Sequence, residues 1–333
     1  MDRGRSYRNA PMHIPDGYLS PATCVALYGA STPIWYVSLR RVKKLFNTRL
    51  VPLLSVFSAL SFVIMMFNVP LPGGTTGHAV GVGIATIVLG PWASIVAVSV
   101  AILIQAVLFG DGGITTLGAN CFNMAMVGSF VAFLVYRAIA GRQALTSSRR
   151  VVAAAVAGYL AINASALCAA VELGIQPLFF KDAAGAPLYA PYPLHIAVPA
   201  MMIGHLTFAG FAELIISGGV VAYLQRTNPS LLKYTAPGVL PSDEDMQPAL
   251  ARSGWKAARP LWIATALLLI LTPLGILAVG TAWGEWTARD YSNPSIRQKI
   301  AAASGNVPPP AQAPQGLRRL ASIWAAPFPQ YAP

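Results

Sequence analysis

Apolar residues run along this chain in long blocks separated by short polar or basic breaks. Blocks cover residues 22–39, 51–69, 79–109, 117–135, 151–173, 195–224 and 261–283. Each is long enough for at least one membrane helix, and 79–109 is long enough for two short ones. From Leu50 to Tyr136 there is no Lys or Arg, and Asp111 is the only acid.

The breaks set an expected orientation. Arg40, Arg41, Lys43, Lys44 and Arg49 follow the first block, and Arg137, Arg142, Arg149 and Arg150 follow the block ending at 135. Cytoplasmic loops carry such basic excess. Both clusters fall on that side only if 79–109 turns back at Gly90-Pro91-Trp92, so two passes are expected, the first a helix of about 11 residues. Arg226 and Lys233 then also lie inside. The fold expected is all-α, a polytopic membrane helical bundle of about eight transmembrane segments. Its parts are a polar extension at 1–11, a metal-binding membrane domain at 12–225, a cytoplasmic loop at 226–260, an added helix at 261–283 and a disordered Pro-rich tail at 284–333.

Composition supports a membrane class. The chain is 55% apolar and 10% charged, against about 25% charged in soluble domains. The net charge of +12 lies in short clusters between apolar blocks and points to a lipid membrane, with no nucleic acid as partner. Cys24, Cys121 and Cys168 sit inside apolar blocks without paired spacing, as small core residues.

The charge rule brings four polar features to the outer face: MHIPDG at 12–17, PGGTTGH at 72–78, GDGG at 110–113 and the start of the GANCFN helix. If Met12 is the first residue, its α-amine, the His13 amide and the His13 imidazole close two small chelate rings on a divalent metal. A fourth nitrogen would complete a square plane, which suits Ni(II), Cu(II) and, less ideally, Co(II). His78 ends the Gly-rich loop, which its prolines and glycines predict to be irregular. It is either that fourth nitrogen or an interfacial histidine bonded to a backbone carbonyl. Asn120 and Asn123 share a helix face and either glue helices together or orient a metal-bound imidazole. Gln105 has the same two readings, and Asp16 and Thr76 are further outer-partner candidates. Asp111 is most simply a turn residue. His205 and Glu213 read as interhelical hydrogen-bonding groups and His195 as interfacial.

No nucleotide-binding loop and no nucleophile with its base is present, so catalytic and cofactor-binding residues are not expected. A membrane-embedded metal-dependent enzyme and an ion-coupled carrier for a small solute remain as alternative readings.

MHIPDGYLSP, VPLPGGTTGH, GDGGITTLGANCFNMAMVG and IGHLTFAGFAE, in that order, resemble the CbiM/NikM family. Its members are cobalt/nickel substrate-capture (permease) subunits of energy-coupling-factor (ECF) transporters. The match covers about 12–225, and its first two motifs are highly specific. The resemblance implies Met12, His13 and His78 as metal ligands and Co(II) or Ni(II) as transported substrate. It further implies a transmembrane coupling subunit and cytoplasmic ATPase subunits as partners, and a bacterial inner membrane location with the N-terminus outside. TPLGILAVGTAWGEW at 272–286 resembles the C-terminal extension of longer members, which stands in for a small accessory membrane subunit. One departure is the eleven residues before Met12, which would replace its amine with an amide. The functional protein is therefore expected to begin at Met12.

Overall fold

The computed structural model of the chain describes residues 13–44, 50–66, 69–71, 75–236, 239, 286 and 288–328. Met12, the extension before it and the apolar block at 261–283 lie outside the described residues. The architecture is an α-helical membrane bundle. Helices α1 (Pro21–Lys44) and α2 (Leu50–Met65) lead into a two-stranded antiparallel hairpin, β1 (Val69–Leu71) and β2 (Thr75–Gly77). Val69 pairs with Gly77 and Leu71 with Thr75. Residues 69–71 and 75–77, on either side of the predicted irregular turn, are thus strand-paired, because backbone amides among membrane helices need partners and the two arms supply each other.

Next come α3 (Val82–Leu89) and α4 (Pro91–Phe109), two helices broken at Gly90, where the sequence reading places a turn. Gly90 has φ 78° and ψ 165°, and Pro91 stands where a helix has no use for an N–H. At eight residues, α3 is shorter than expected, and every residue of it is buried. Small residues allow its close approach. A Cβ on Gly83 would stand 2.9 Å from the Cα of Gly158 and would overlap the Ser217 hydroxyl.

The remaining membrane helices are α5 (Leu117–Ala140), α6 (Ser148–Phe179) and α7 (Leu194–Thr227). With α4, these are the four described helices long and apolar enough to cross a bilayer. Three of them contain a wide π turn, at Gln105–Phe109 in α4, Cys121–Val127 in α5 and His205–Ala209 in α7. Such wide turns are frequent at functional sites.

The two ends of the bundle differ. At one, buried Arg150 donates to the carbonyls of Gln143 and Ala144 and to the Tyr136 hydroxyl. There Thr235 also donates to the Ile87 carbonyl, and Arg41 stacks 4.3 Å over Trp92. At the other end lie residues 13–20, the hairpin and the 110–116 loop.

The tail departs from its expected disorder. Residues 288–328 contain α8 (Pro294–Ala303) and α9 (Gln315–Leu320). Trp286, Tyr291, Ile300 and Leu317 share a buried cluster with Ile14, Tyr18, Leu19 and Tyr192. Arg297 gathers the carbonyls of Tyr291, Pro309 and Pro310, which satisfies polar groups that a Pro-rich run cannot pair within itself. Further on, Trp324 donates to the Val107 carbonyl at 3.0 Å and the Phe328 amide to the Leu108 carbonyl at 2.9 Å.

Candidate metal site

The site begins with Ile14. Its N–H donates to the Asn120 side-chain oxygen at 3.0 Å, and its carbonyl accepts from Asn120 Nδ2 at 3.1 Å and from the Gly113 amide at 3.1 Å. Two residues on, the Asp16 carboxylate accepts from the amides of Ile114 at 3.2 Å and Thr115 at 2.8 Å, and from the Thr115 hydroxyl. The IPDG turn is thereby docked on the 110–116 loop. Glycines make the fit possible. Gly112 has φ 84°, and a Cβ there would stand 2.8 Å from the His13 Cβ; a Cβ on Gly113 would run into Asp16.

This docking buries His13. Neither of its ring nitrogens has a hydrogen-bond partner, and Nδ1 lies 3.5 Å from a carboxylate oxygen of Asp111. An unfilled buried polar group costs about 1–3 kcal/mol, a cost that a ligand at either nitrogen would relieve. His78 directly follows strand β2 of the hairpin. Its ring stands edge to face with His13, centroids 5.6 Å apart and planes at 89°.

His78 Nδ1 lies 3.0 Å from the Ala79 carbonyl. A carbonyl can only accept, so Nδ1 carries the proton and Nε2 the lone pair. Of the two sequence readings of His78, the carbonyl bond is present; it also sets the tautomer in which Nε2 could take a metal. Burial pushes the imidazole down to about 3, and repulsion from His13 adds to the fall; the Ala79 bond opposes it, and His205 lowers it further. The ring is thus neutral, the form that binds metal.

Among the described residues, no three His, Cys, Asp or Glu side chains gather into a metal-holding group. Side chains here offer two imidazoles with one carboxylate beside them, and further donors would have to come from the main chain. The His13 amide and Nδ1 are spaced to close a six-membered chelate ring, which fits that need.

The other candidates separate. Asn120 holds the backbone of Ile14, next to His13. Asn123 points elsewhere, donating to Glu172 at 2.8 Å as a link between α5 and α6. Gln105 Nε2 meets the Met66 sulfur at 3.7 Å. Thr76 lies in β2, and its side chain is outside the described set. His205 Nδ1 bonds back to the Met201 carbonyl at 2.9 Å, and His195 is exposed. Asp111, expected as a plain turn residue, instead faces His13. Its isolation as the sole acid between Leu50 and Tyr136 was the available signal.

Comparison with known proteins identifies the family. Residues 13–231 match the family described as CbiM, cobalt uptake substrate-specific transmembrane region. The fused nickel transport protein NikMN of Rhodobacter capsulatus is 54% identical over 322 residues, covering 97% of this chain and 89% of that protein. The cobalt transport protein CbiM of Geobacter sulfurreducens is 31% identical over 300 residues, covering 89% of this chain and 80% of its own length. A crystal structure described as a transition metal transporter superposes with a TM-score of 0.62 at 49% identity, covering 67% of this chain and 98% of that one. With its helical bundle, its paired histidines and these relatives, the chain belongs to the CbiM family, the substrate-specific transmembrane regions of cobalt uptake.

Proposed function

We propose that this protein captures Ni(II), with Co(II) as its second substrate, on the extracytoplasmic side of a bacterial inner membrane. Its role is that of the substrate-binding component of an ATP-driven ECF-type transporter rather than of an enzyme. The observation that carries this is the His13–His78 pair, two buried imidazoles edge to face at 5.6 Å, one of them without any hydrogen-bond partner. The Met12 amine and the His13 amide complete four nitrogens, and a square-planar nitrogen set favours nickel. The names of the Rhodobacter relative and of the fused LarMN protein of Lactiplantibacillus plantarum, 41% identical over 309 residues, also specify nickel. Both are called fused, which supports the C-terminal part standing in for a separate accessory membrane subunit.

Release inward requires a transmembrane coupling subunit and cytoplasmic ATPases, which the basic loops after α1 and α5 would meet. The test is nickel and cobalt titration of four purified forms: one beginning at Met12, the same form with its amine acetylated, His13→Ala and His78→Ala. Each of the last three should lose affinity beyond the about 10–100-fold typical of losing an outer partner. Unchanged nickel affinity in His78→Ala would refute the site. Uptake in vesicles reconstituted with the coupling and ATPase subunits should require ATP.

A further inference from the structure

Glu213 is fully buried on membrane helix α7, where a carboxylate is costly unless its oxygens are satisfied. Here the main chain satisfies them. The Val80 and Gly81 amides donate to one oxygen at 2.8 Å each, and the Gly83 amide donates to the other at 3.1 Å. These donors open α3 and follow directly on His78.

The Val80 N–H and the Ala79 carbonyl belong to the same peptide unit, which is planar and moves as one plate. One end of the plate donates to Glu213; its carbonyl accepts from His78 Nδ1. Fixing the plate fixes the imidazole. A carboxylate on the N–H also polarises the plate, making its carbonyl a better acceptor and His78 Nε2 a stronger donor to metal. The packing shows what brings Glu213 there: α3 crosses α6 and α7 at Gly83, Gly158 and Ser217, where a larger side chain would hold the helices apart.

We propose that Glu213 is a positioning residue for His78, acting through the Ala79–Val80 peptide to orient the ring, set its tautomer and strengthen its bond to the metal. This rests on the metal site proposed above. It makes α7, which contributes no ligand, a determinant of metal affinity.

The experiment titrates nickel(II) alone into the wild-type chain, Glu213→Gln, Glu172→Gln, His78→Ala and the Glu213→Gln/His78→Ala double variant. It records affinity and the visible absorption of the bound metal. Glutamine offers one acceptor where the carboxylate offers two, so Glu213→Gln is expected to weaken binding about 10- to 100-fold and shift the absorption band. Glu172→Gln removes another buried acid and should change neither. In the His78→Ala background, Glu213→Gln should add no further loss, since both act through one ligand.

Wild-type affinity and spectrum in Glu213→Gln, or an equal further loss without His78, overturns the role of Glu213. Wild-type affinity in His78→Ala overturns the metal site itself, a separate result. If Glu213→Gln does not fold, hydrogen exchange in the metal-free wild-type chain decides. Slow exchange at residues 80–83 before nickel is added supports a preset peptide, and fast exchange that slows only with nickel overturns it.

Discussion

Asn120 grips the main chain of Ile14 with both ends of its side-chain amide, accepting from the N–H at 3.0 Å and donating to the carbonyl at 3.1 Å. Both groups are buried, and they hold the residue next to His13 against the bundle. Replacing Asn120 with Ala leaves the Ile14 N–H without this partner, at about 1–3 kcal/mol, while the Ile14 carbonyl keeps the Gly113 amide and the Thr116 hydroxyl. Nickel affinity should fall about tenfold or more, with a smaller loss for Asn120→Asp, which keeps an acceptor. Titration of both variants checks this; wild-type affinity in Asn120→Ala would show that the grip does not serve the site.

Asp111 brings a carboxylate to 3.5 Å from His13 Nδ1. A divalent ion bound at that nitrogen would sit beside this negative charge, in surroundings that screen it poorly. Asp111→Asn is therefore expected to raise the nickel dissociation constant by about one to two orders of magnitude, with the fold intact by circular dichroism. Unaltered affinity would reduce Asp111 to the turn residue that its glycine neighbours suggest.

The depressed His78 titration has a consequence for acid stability. The unfolded imidazole titrates at its ordinary 6.5 and the folded one at about 3. Between these values the unfolded chain holds the extra proton, so this group's contribution is complete above about pH 6.5 and is lost as the pH falls towards 3. Metal-free wild-type protein should lose stability over that window more steeply than His78→Gln. Thermal unfolding at a series of pH values compares the slopes, and equal slopes would contradict the buried neutral ring.

Gly17 has φ 92°, and a Cβ there would lie 2.8 Å from both the Gly316 oxygen and the Leu317 Cα. Gly17→Ala meets left-handed strain of about 1–2 kcal/mol and a backbone collision that no rotamer relieves. The C-terminal segment should separate from the IPDG turn. Limited proteolysis within 288–328 should quicken at least severalfold relative to wild type.

Orientation is open to direct measurement. A single cysteine at Gly141, near the basic loop, should react with an impermeant reagent only from the cytoplasmic side. One at Thr115, beside the metal site, should react only from outside. The reverse pattern would invert the bundle and the direction of capture.

Much of this protein was legible in one dimension, because bilayer solvation acts on local stretches of chain. Hydropathy and basic clusters located α4 through α7, and charge alternation demanded the break at Gly90. His13 and His78 stood out because each sits in a short Gly- and Pro-punctuated motif. Other features belong to tertiary structure. The hairpin at 69–77 pairs strands too short to show a period. The 288–328 segment folds by burying Tyr291, Ile300 and Leu317 with Trp286 against Tyr18 and Tyr192, contacts that Pro-rich composition hides. Asp111 comes beside His13, and Glu213 bonds the peptide beside His78, only because glycines let segments far apart in the chain approach closely. Sequence spacing carries no record of such pairings, since a buried donor is satisfied by whichever acceptor the packing delivers.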